Sequence, residues 1–407
     1  MRTSAIIFSF LLCLTRLGYG QETGVAQVEP EGRIMAGSLD DYPAAVASND
    51  SVAAVAAAKS FYTPTSSRYF RVSYERGYCM PVDDKESVNN LLRSSTFINF
   101  SFAGAWEVNP RSVYARIYRK PLLGFGFSAL SFRNSQLGNP FMIYGFTEVP
   151  VTNQNRRLHL SYGIGLGLAW GFNQYNKDSN PVNEAIGSYV NPHLQASLNL
   201  GYWLTNKVRL SIGTGFRHYS NGSIRKPNAG VNVIPLQLMA QFRTREVFHE
   251  GYVPVLPAFR KHMSYIVYLG GGMKQMEING PMMYKLGAGF NAGYHISYKY
   301  RIVAGFDITH SSGSDIRVSG NASAFSKSIS YGPYVGWDWY LTERLFIPVH
   351  IGAYIHRNYE NDEANAFYQR LGIRYRMLKN KSLSAGVALR SHFGNADFVE
   401  FSIGHHF

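Results

Sequence analysis

Arg209-Leu210-Ser211-Ile212-Gly213-Thr214-Gly215-Phe216-Arg217-His218-Tyr219-Ser220 is the stretch whose reading decides the rest of the chain. In an extended strand alternate side chains point to opposite sides. Leu210, Ile212, Thr214, Phe216, His218 and Ser220 therefore share one face, while Arg209, Ser211, Gly213, Gly215 and Arg217 share the other. A reactive His-Ser pair thus extends an apolar stripe, and the charges lie opposite. In a water-soluble sandwich such a pair seldom continues the greasy face. In a membrane barrel that face meets lipid.

The composition agrees. Beyond the first residues no apolar run approaches the ~20 residues that a membrane-spanning helix needs, yet the chain is 14% aromatic, holds 39 Gly and is only 16% charged. Strands that alternate lipid-facing and lumen-facing residues give this weak hydropathy with aromatic girdles. Candidate strands of about ten residues follow one another, joined by links of alternating length. Short links fall at 205–207, 297–300, 341–344 and 378–382; long ones fall at 173–188, 221–230, 312–327 and 357–365. The expected fold is all-β: a transmembrane antiparallel β-barrel of roughly 12–16 strands, best counted as 14, with its long loops outside. The stretch Arg243 to His262 is a long link on the side of short ones and fits poorly. The last strand carries Val399, Phe401, Ile403, His405 and Phe407 on one face and ends in Phe, which resembles the assembly signal of outer-membrane barrels.

The N-terminus reads as a secretory signal over 1–20: Arg2, an apolar run from Ala5 to Leu14, then Gly18-Tyr19-Gly20. Residues 21–65 lack a period and read as a mobile segment, with a short helix around Val52 to Ser60; 66–407 would hold the barrel, with a short helix over Asp83 to Arg93 before the barrel proper. The formal charge of +14 includes Arg2 and Arg16, leaving 14 − 2 = +12 without the signal. A basic surface suits phosphorylated lipid or nucleic acid, and export excludes the second. Cys79 is the one cysteine outside the signal, so no internal disulfide is available.

Val231 to Phe242 presents a second largely apolar face through Asn232, Ile234, Leu236, Leu238, Ala240 and Phe242. If it pairs as a hairpin with its predecessor, matching the lipid faces sets His218 opposite Asn232. Ester hydrolysis needs a nucleophile, a base within reach and a group that orients the base. Ser220, His218 and Asn232 supply these three. Asn221 or Asn228 in the loop could donate to the oxyanion, and Arg225 and Lys226 could hold a lipid phosphate. The plain alternative for that basic pair is a solvated loop.

His218-x-Ser220-Asn221 followed by Pro227-Asn228 resembles the lipid A 3-O-deacylase family of outer-membrane barrels. Trp106-Glu107, Pro121 to Gly126, Asn180-Pro181, Ala185 to Ser188 and Gly230-Val231-Asn232 look closer still to its acyloxyacyl hydrolase-like members, over roughly residues 100–245. Beyond that the chain resembles the family only as a barrel. The resemblance implies a cell-outer-membrane esterase acting on lipid A within lipopolysaccharide, with Ser220 as nucleophile, His218 as base and Asn228 as oxyanion donor. The chemistry itself requires no cofactor, and His159, His193 and His350, isolated on their strands, give no metal site; calcium through loop oxygens would enter only with the phospholipase alternative below, and a homodimer stays open. One departure matters: the family's third catalytic member is a Glu, and this sequence has Asn232 there. A Ser-His-Asn arrangement is similar to outer-membrane phospholipase A, the alternative enzyme. The non-enzymatic alternative is a porin-like barrel whose inner Arg209, Arg217, Gln237 and Gln241 line a wet channel. A second His-x-Ser, His310-Ser311-Ser312, repeats the strand pattern but lacks the following Asn. His405-His406 point to opposite faces and cannot chelate together.

Overall fold

The computed structural model describes residues 66–82, 85–109, 112–152, 157–245, 256–312, 328–357 and 365–407. The expected signal, N-terminal segment and its short helix lie outside the described residues. Eight strands form one closed antiparallel barrel: β1 (Arg68–Met80), β2 (Thr96–Glu107), β3 (Leu122–Ser131), β4 (Gly138–Pro150), β5 (Leu158–Phe172), β6 (Val190–Trp203), β7 (Val208–Tyr219) and β8 (Val231–Arg245). Eight more form a second: β9 (His262–Gln275), β10 (Met282–His295), β11 (Tyr300–Ser311), β12 (Ile329–Tyr340), β13 (Leu345–Ala353), β14 (Phe367–Met377), β15 (Leu383–His392) and β16 (Asn395–His406).

The all-β antiparallel barrel expectation stands, but the strands number 16 in two barrels of eight, not 14 in one. Hydropathy periodicity locates strands without saying where a sheet closes on itself. Closure is fixed by the pairings β1–β8 and β9–β16. The awkward stretch Arg243 to His262 includes the link between barrels. The short helix, α1 (Glu86–Arg93), sits between β1 and β2 rather than before the barrel. β1 escaped the reading because its inward face carries Arg71, Ser73 and Glu75, which look like loop residues until a lumen receives them.

Each barrel wears an apolar coat. Leu210, Ile212, Leu236 and Leu238 of the first, and Leu269, Leu286, Phe401 and Ile403 of the second, point outward and are exposed. The lumens are packed with paired charges. Glu148 accepts from Arg71 at 2.8 Å and from Arg209 at 2.7 Å, and Gln241 Oε1 accepts from both arginines. Arg217 pairs with Glu75, which also accepts from Gln237 at 2.7 Å. In the second barrel Asp307 and Glu400 hold Arg370, Asp338 holds Arg301, and Asp397 holds Lys274 and Lys285. Arg209, Arg217, Gln237 and Gln241 therefore do not line a wet channel. Eight strands leave an interior just wide enough for side chains, and these residues fill it.

The barrels meet side by side. Val149 and Tyr162, on the outward faces of β4 and β5, are buried in one cluster with Trp339, Ile347 and Val349 from the outward faces of β12 and β13. At the end with short turns, α2 (Val113–Ile117) adds a strap: Tyr114 Oη donates to Tyr298 O, and Tyr118 Oη to Tyr340 O while accepting from Trp339 Nε1. At the opposite end α1 closes the first barrel. Its Val88, Leu91 and Leu92 stand at helical spacing and are buried against Tyr219, Val231 and Val233.

Removing one member of a buried ion pair strands its partners and typically costs about 3–5 kcal/mol. Glu148→Ala leaves two buried guanidiniums beside one another. The folded, fast-migrating band on unheated SDS gels should convert to the unfolded form at a clearly lower temperature than in the wild type, and an unchanged conversion temperature would refute the role given to Glu148.

Candidate active site

β7 and β8 form the hairpin that the strand pattern requires, and His218 faces Asn232 across it. His218 Nδ1 lies 2.6 Å from Asn232 Oδ1. An amide oxygen only accepts, so Nδ1 carries the proton and Nε2 is left as the ring's acceptor. Asn232 is 1% exposed, which holds its amide in place, whereas His218 is half-buried. The imidazole also lies nearly parallel to the ring of Phe216, the preceding residue of the outward-facing stripe and itself buried.

Ser220 comes just after β7, where the chain turns into the loop 220–230. Its Oγ accepts from Asn228 Nδ2 at 2.8 Å and from the Gly222 backbone N–H at 3.2 Å. Two donors thus converge on one oxygen. Among the described residues no hydrogen bond joins His218 to Ser220, a looseness common in unliganded hydrolase sites. Gly230 brings them into one neighbourhood: a Cβ built on it would lie 3.2 Å from His218 Cε1 and 3.5 Å from Ser220 Cβ. Its φ of +81° is a conformation that side chains resist.

The loop is held by its neighbours. Asn221 donates through Nδ2 to Ser188 Oγ and to Arg225 O, both at 2.9 Å, and its backbone N–H donates to Asn228 Oδ1 at 3.1 Å. Asn221 is therefore not a free oxyanion donor. It knits the loop and turns the Asn228 amide so that Nδ2 faces Ser220. The loop between β5 and β6 backs this arrangement, with Ala229 N and Gly230 N donating to Glu184 O and Ala185 O. Asn183 anchors that backing by donating to Gln136 O and Asn173 O. Asn183, Ser188 and Gly230 are site-shaping residues that strand periodicity could not find, since their partners lie in other loops: backbone oxygens for Asn183 and Gly230, the Asn221 side chain for Ser188. Arg225 is exposed and Lys226 half-buried; among the described residues neither is paired with a carboxylate.

The second His-x-Ser is set differently among the described residues. His310 faces Ile329 across β11 and β12, where the first barrel has Asn232, and Ser312 Oγ accepts from the Tyr284 backbone.

Comparison with known proteins divides the chain where the barrels divide. The family model described as Lipid A 3-O-deacylase (PagL) matches residues 68–240, and that described as Acyloxyacyl hydrolase, C-terminal domain, matches residues 263–407. The family likeness therefore begins at β1 and includes the second barrel, well beyond 100–245. No curated protein matches the chain. Among solved structures, Neisserial surface protein A is 12% identical with a TM-score of 0.30, over 43% of this chain and 96% of that one. The outer membrane enzyme PagL is 13% identical with a TM-score of 0.28, over 42% of this chain and 97% of that one.

Gly230→Ala places a methyl against both His218 and Ser220 and strains the backbone. Labelling of Ser220 by a fluorophosphonate probe should slow by about tenfold or more, a penalty of the size that ~1 Å misplacement brings. Labelling at the wild-type rate in folded protein would show that Gly230 does not set the site.

Proposed function

We propose, because this chain belongs to the lipid A 3-O-deacylase and acyloxyacyl hydrolase-like family of outer-membrane β-barrels, that Ser220 and His218 remove an ester-linked acyl chain from lipid A at the wall of the first barrel. The chain is an outer-membrane hydrolase of a lipid A ester. The observation that carries the assignment of residues is the convergence described above: a histidine oriented by Asn232 beside a serine oxygen addressed by two hydrogen-bond donors.

The chemistry follows from the geometry. Ser220 Oγ attacks the ester carbonyl and His218 Nε2 takes its proton. The carbonyl electron pair moves onto oxygen, and Asn228 Nδ2 and the Gly222 N–H, already aimed at Oγ, are placed to meet that oxyanion. One such donor is worth ~10²–10³ in rate. When the intermediate collapses, the ester C–O bond breaks and the sugar oxygen leaves with the proton from His218. Water, deprotonated by the same imidazole, then releases the fatty acid from Ser220. Asn232 fixes the ring tautomer but adds no negative charge to steady the imidazolium, so the enzyme should be slower than one with a carboxylate there. Because His218 continues the lipid-facing stripe, the acyl chain need not leave the membrane. Arg225 and Lys226 would hold a lipid A phosphate above it. The family likeness gives no support to a homodimer.

Ser220→Ala tests the reading directly. Mass spectrometry of lipid A from cells expressing the wild-type chain should show loss of one acyl mass, and cells expressing folded Ser220→Ala should not. Lysophospholipid instead would transfer the assignment to a phospholipase A, and unchanged lipids would overturn the enzyme. Asn232→Asp, which restores a charge beside His218, should keep or raise the rate, whereas Asn232→Ala should lower kcat by about 10²-fold or more, as loss of the orienting group does in triads.

A further inference from the structure

The loop that carries Ser220, Gly222 and Asn228 is not held by the first barrel alone. Gln275, the last residue of β9, donates its backbone N–H to Ser223 O at 2.9 Å and accepts from the Lys226 N–H through Oε1 at 2.9 Å. Its Nε2 donates to Gly280 O at 2.6 Å, which fixes the amide with its oxygen toward Lys226. Ser223 Oγ donates to Ala396 O of β16 at 2.7 Å. Gln275 and Ser223 are buried, 8% and 3% exposed, and Lys226 is half-buried. Gly222, at a φ of +63°, lies against Val399 so closely that any side chain there would collide with the Val399 Cγ2 methyl, and Leu389 Cδ1 would be 3.4 Å from it.

We propose that the second barrel is part of the hydrolytic site, with Gln275 as a positioning residue that holds the loop 222–226 so that the Gly222 N–H and Asn228 point at the reacting oxygen. The inference rests on the hydrolase reading above. The chain of contacts is short: Gln275 grips Ser223, next to Gly222, and Lys226, two residues before Asn228, and the second barrel's outer wall closes on Gly222 itself. Fixing donors before reaction is what makes them effective, because nothing then has to reorganise as charge develops. The same role explains why the second barrel, which carries no Asn opposite His310, accompanies the first in one chain.

The test uses the full chain in lipid A-containing vesicles, with fatty-acid release as the assay and unheated-gel mobility as the check of folding. Gln275→Met keeps the shape and removes the acceptor. It should lower kcat about tenfold while leaving KM within about twofold, because the donors act on the transition state rather than on the bound lipid. Gln275→Glu, which keeps an acceptor for the Lys226 N–H, should recover most of the loss. Ser223→Ala removes the other grip from the first barrel's side and should also lower kcat; combined with Gln275→Met its effect should be less than additive, since both act on one loop. This variant decides the matter should Gln275→Met not fold. An active wild type with full kcat in folded Gln275→Met, or in Ser223→Ala should the former not fold, would overturn the proposal alone. A folded wild type that releases no fatty acid would overturn the hydrolase reading and this proposal with it.

Discussion

The hydrocarbon interior of a membrane offers no hydrogen bonds, so every backbone N–H and C=O that crosses it must find a partner within the protein. Strands meet this demand only when the sheet closes, and here closure occurs twice, each time at eight strands. That number has a second consequence. A barrel so narrow has an interior that side chains must fill, and residues opposite the lipid face are polar by alternation. The middle of each lumen is therefore filled with paired charges. Glu148, Glu75, Asp307, Asp338 and Asp397 each meet at least one buried cation, while inward Phe97, Met142, Tyr219 and Val233 form an apolar plug under α1 at one end of the first barrel.

Paired charges leave only a small polar cavity in the first lumen, and the proposed site lies instead on the outer side of the wall. The end of β7 gives the one combination a lipid hydrolase requires: side chains that face the membrane, and a loop long enough to return donors to them. His218 receives its orientation from the sheet, through the cross-strand pairing with Asn232. Ser220 receives its donors from the loop, through Gly222 and Asn228. The rigid part thus sets the base and the irregular part sets the oxyanion contacts. The irregular part needs outside support, which comes from the loop between β5 and β6 on one flank and from the second barrel on the other.

Much of this was legible in the sequence because a strand has a period of two. The lipid face of β7, the pairing of His218 with Asn232, and the alternation of short and long links all follow from reading every second residue. The number of barrels does not follow, because Leu345 to Ala353 or Leu383 to His392 would look the same in a sheet of eight or of 14. Closure depends on which distant strands pair, and no local pattern encodes it. Likewise the side-chain amide of Asn221 looked as able as that of Asn228 to serve an oxyanion. What separates them is that Asn221 spends both its donors on Ser188 and Arg225, a fact of tertiary contact. Gln275 was invisible for the same reason: it lies far along the chain and acts across the boundary between barrels.

The second barrel shows how that boundary was made compatible with the site. Its seventh strand, β15, ends Arg390-Ser391-His392, where β7 ends Arg217-His218-Tyr219; each end carries a buried lumen-facing arginine, but the histidines fall on opposite faces. The connection that follows is very different. Phe393 and Gly394, both with positive φ, turn β15 directly into β16, whereas residues 220–230 intervene between β7 and β8. His392 lies on the inward face with Arg390, against Tyr354 Oη, whereas His218 lies on the outward face beside inward Arg217. A loop at that rim would occupy the space into which the first barrel's loop reaches. With the tight hairpin, Ala396 O stands open two residues beyond the turn and accepts from Ser223, and Val399 lies bare against Gly222. The missing loop of one barrel is thus the seat for the loop of the other, and the second barrel supports the site at the position where it could not have carried one of its own.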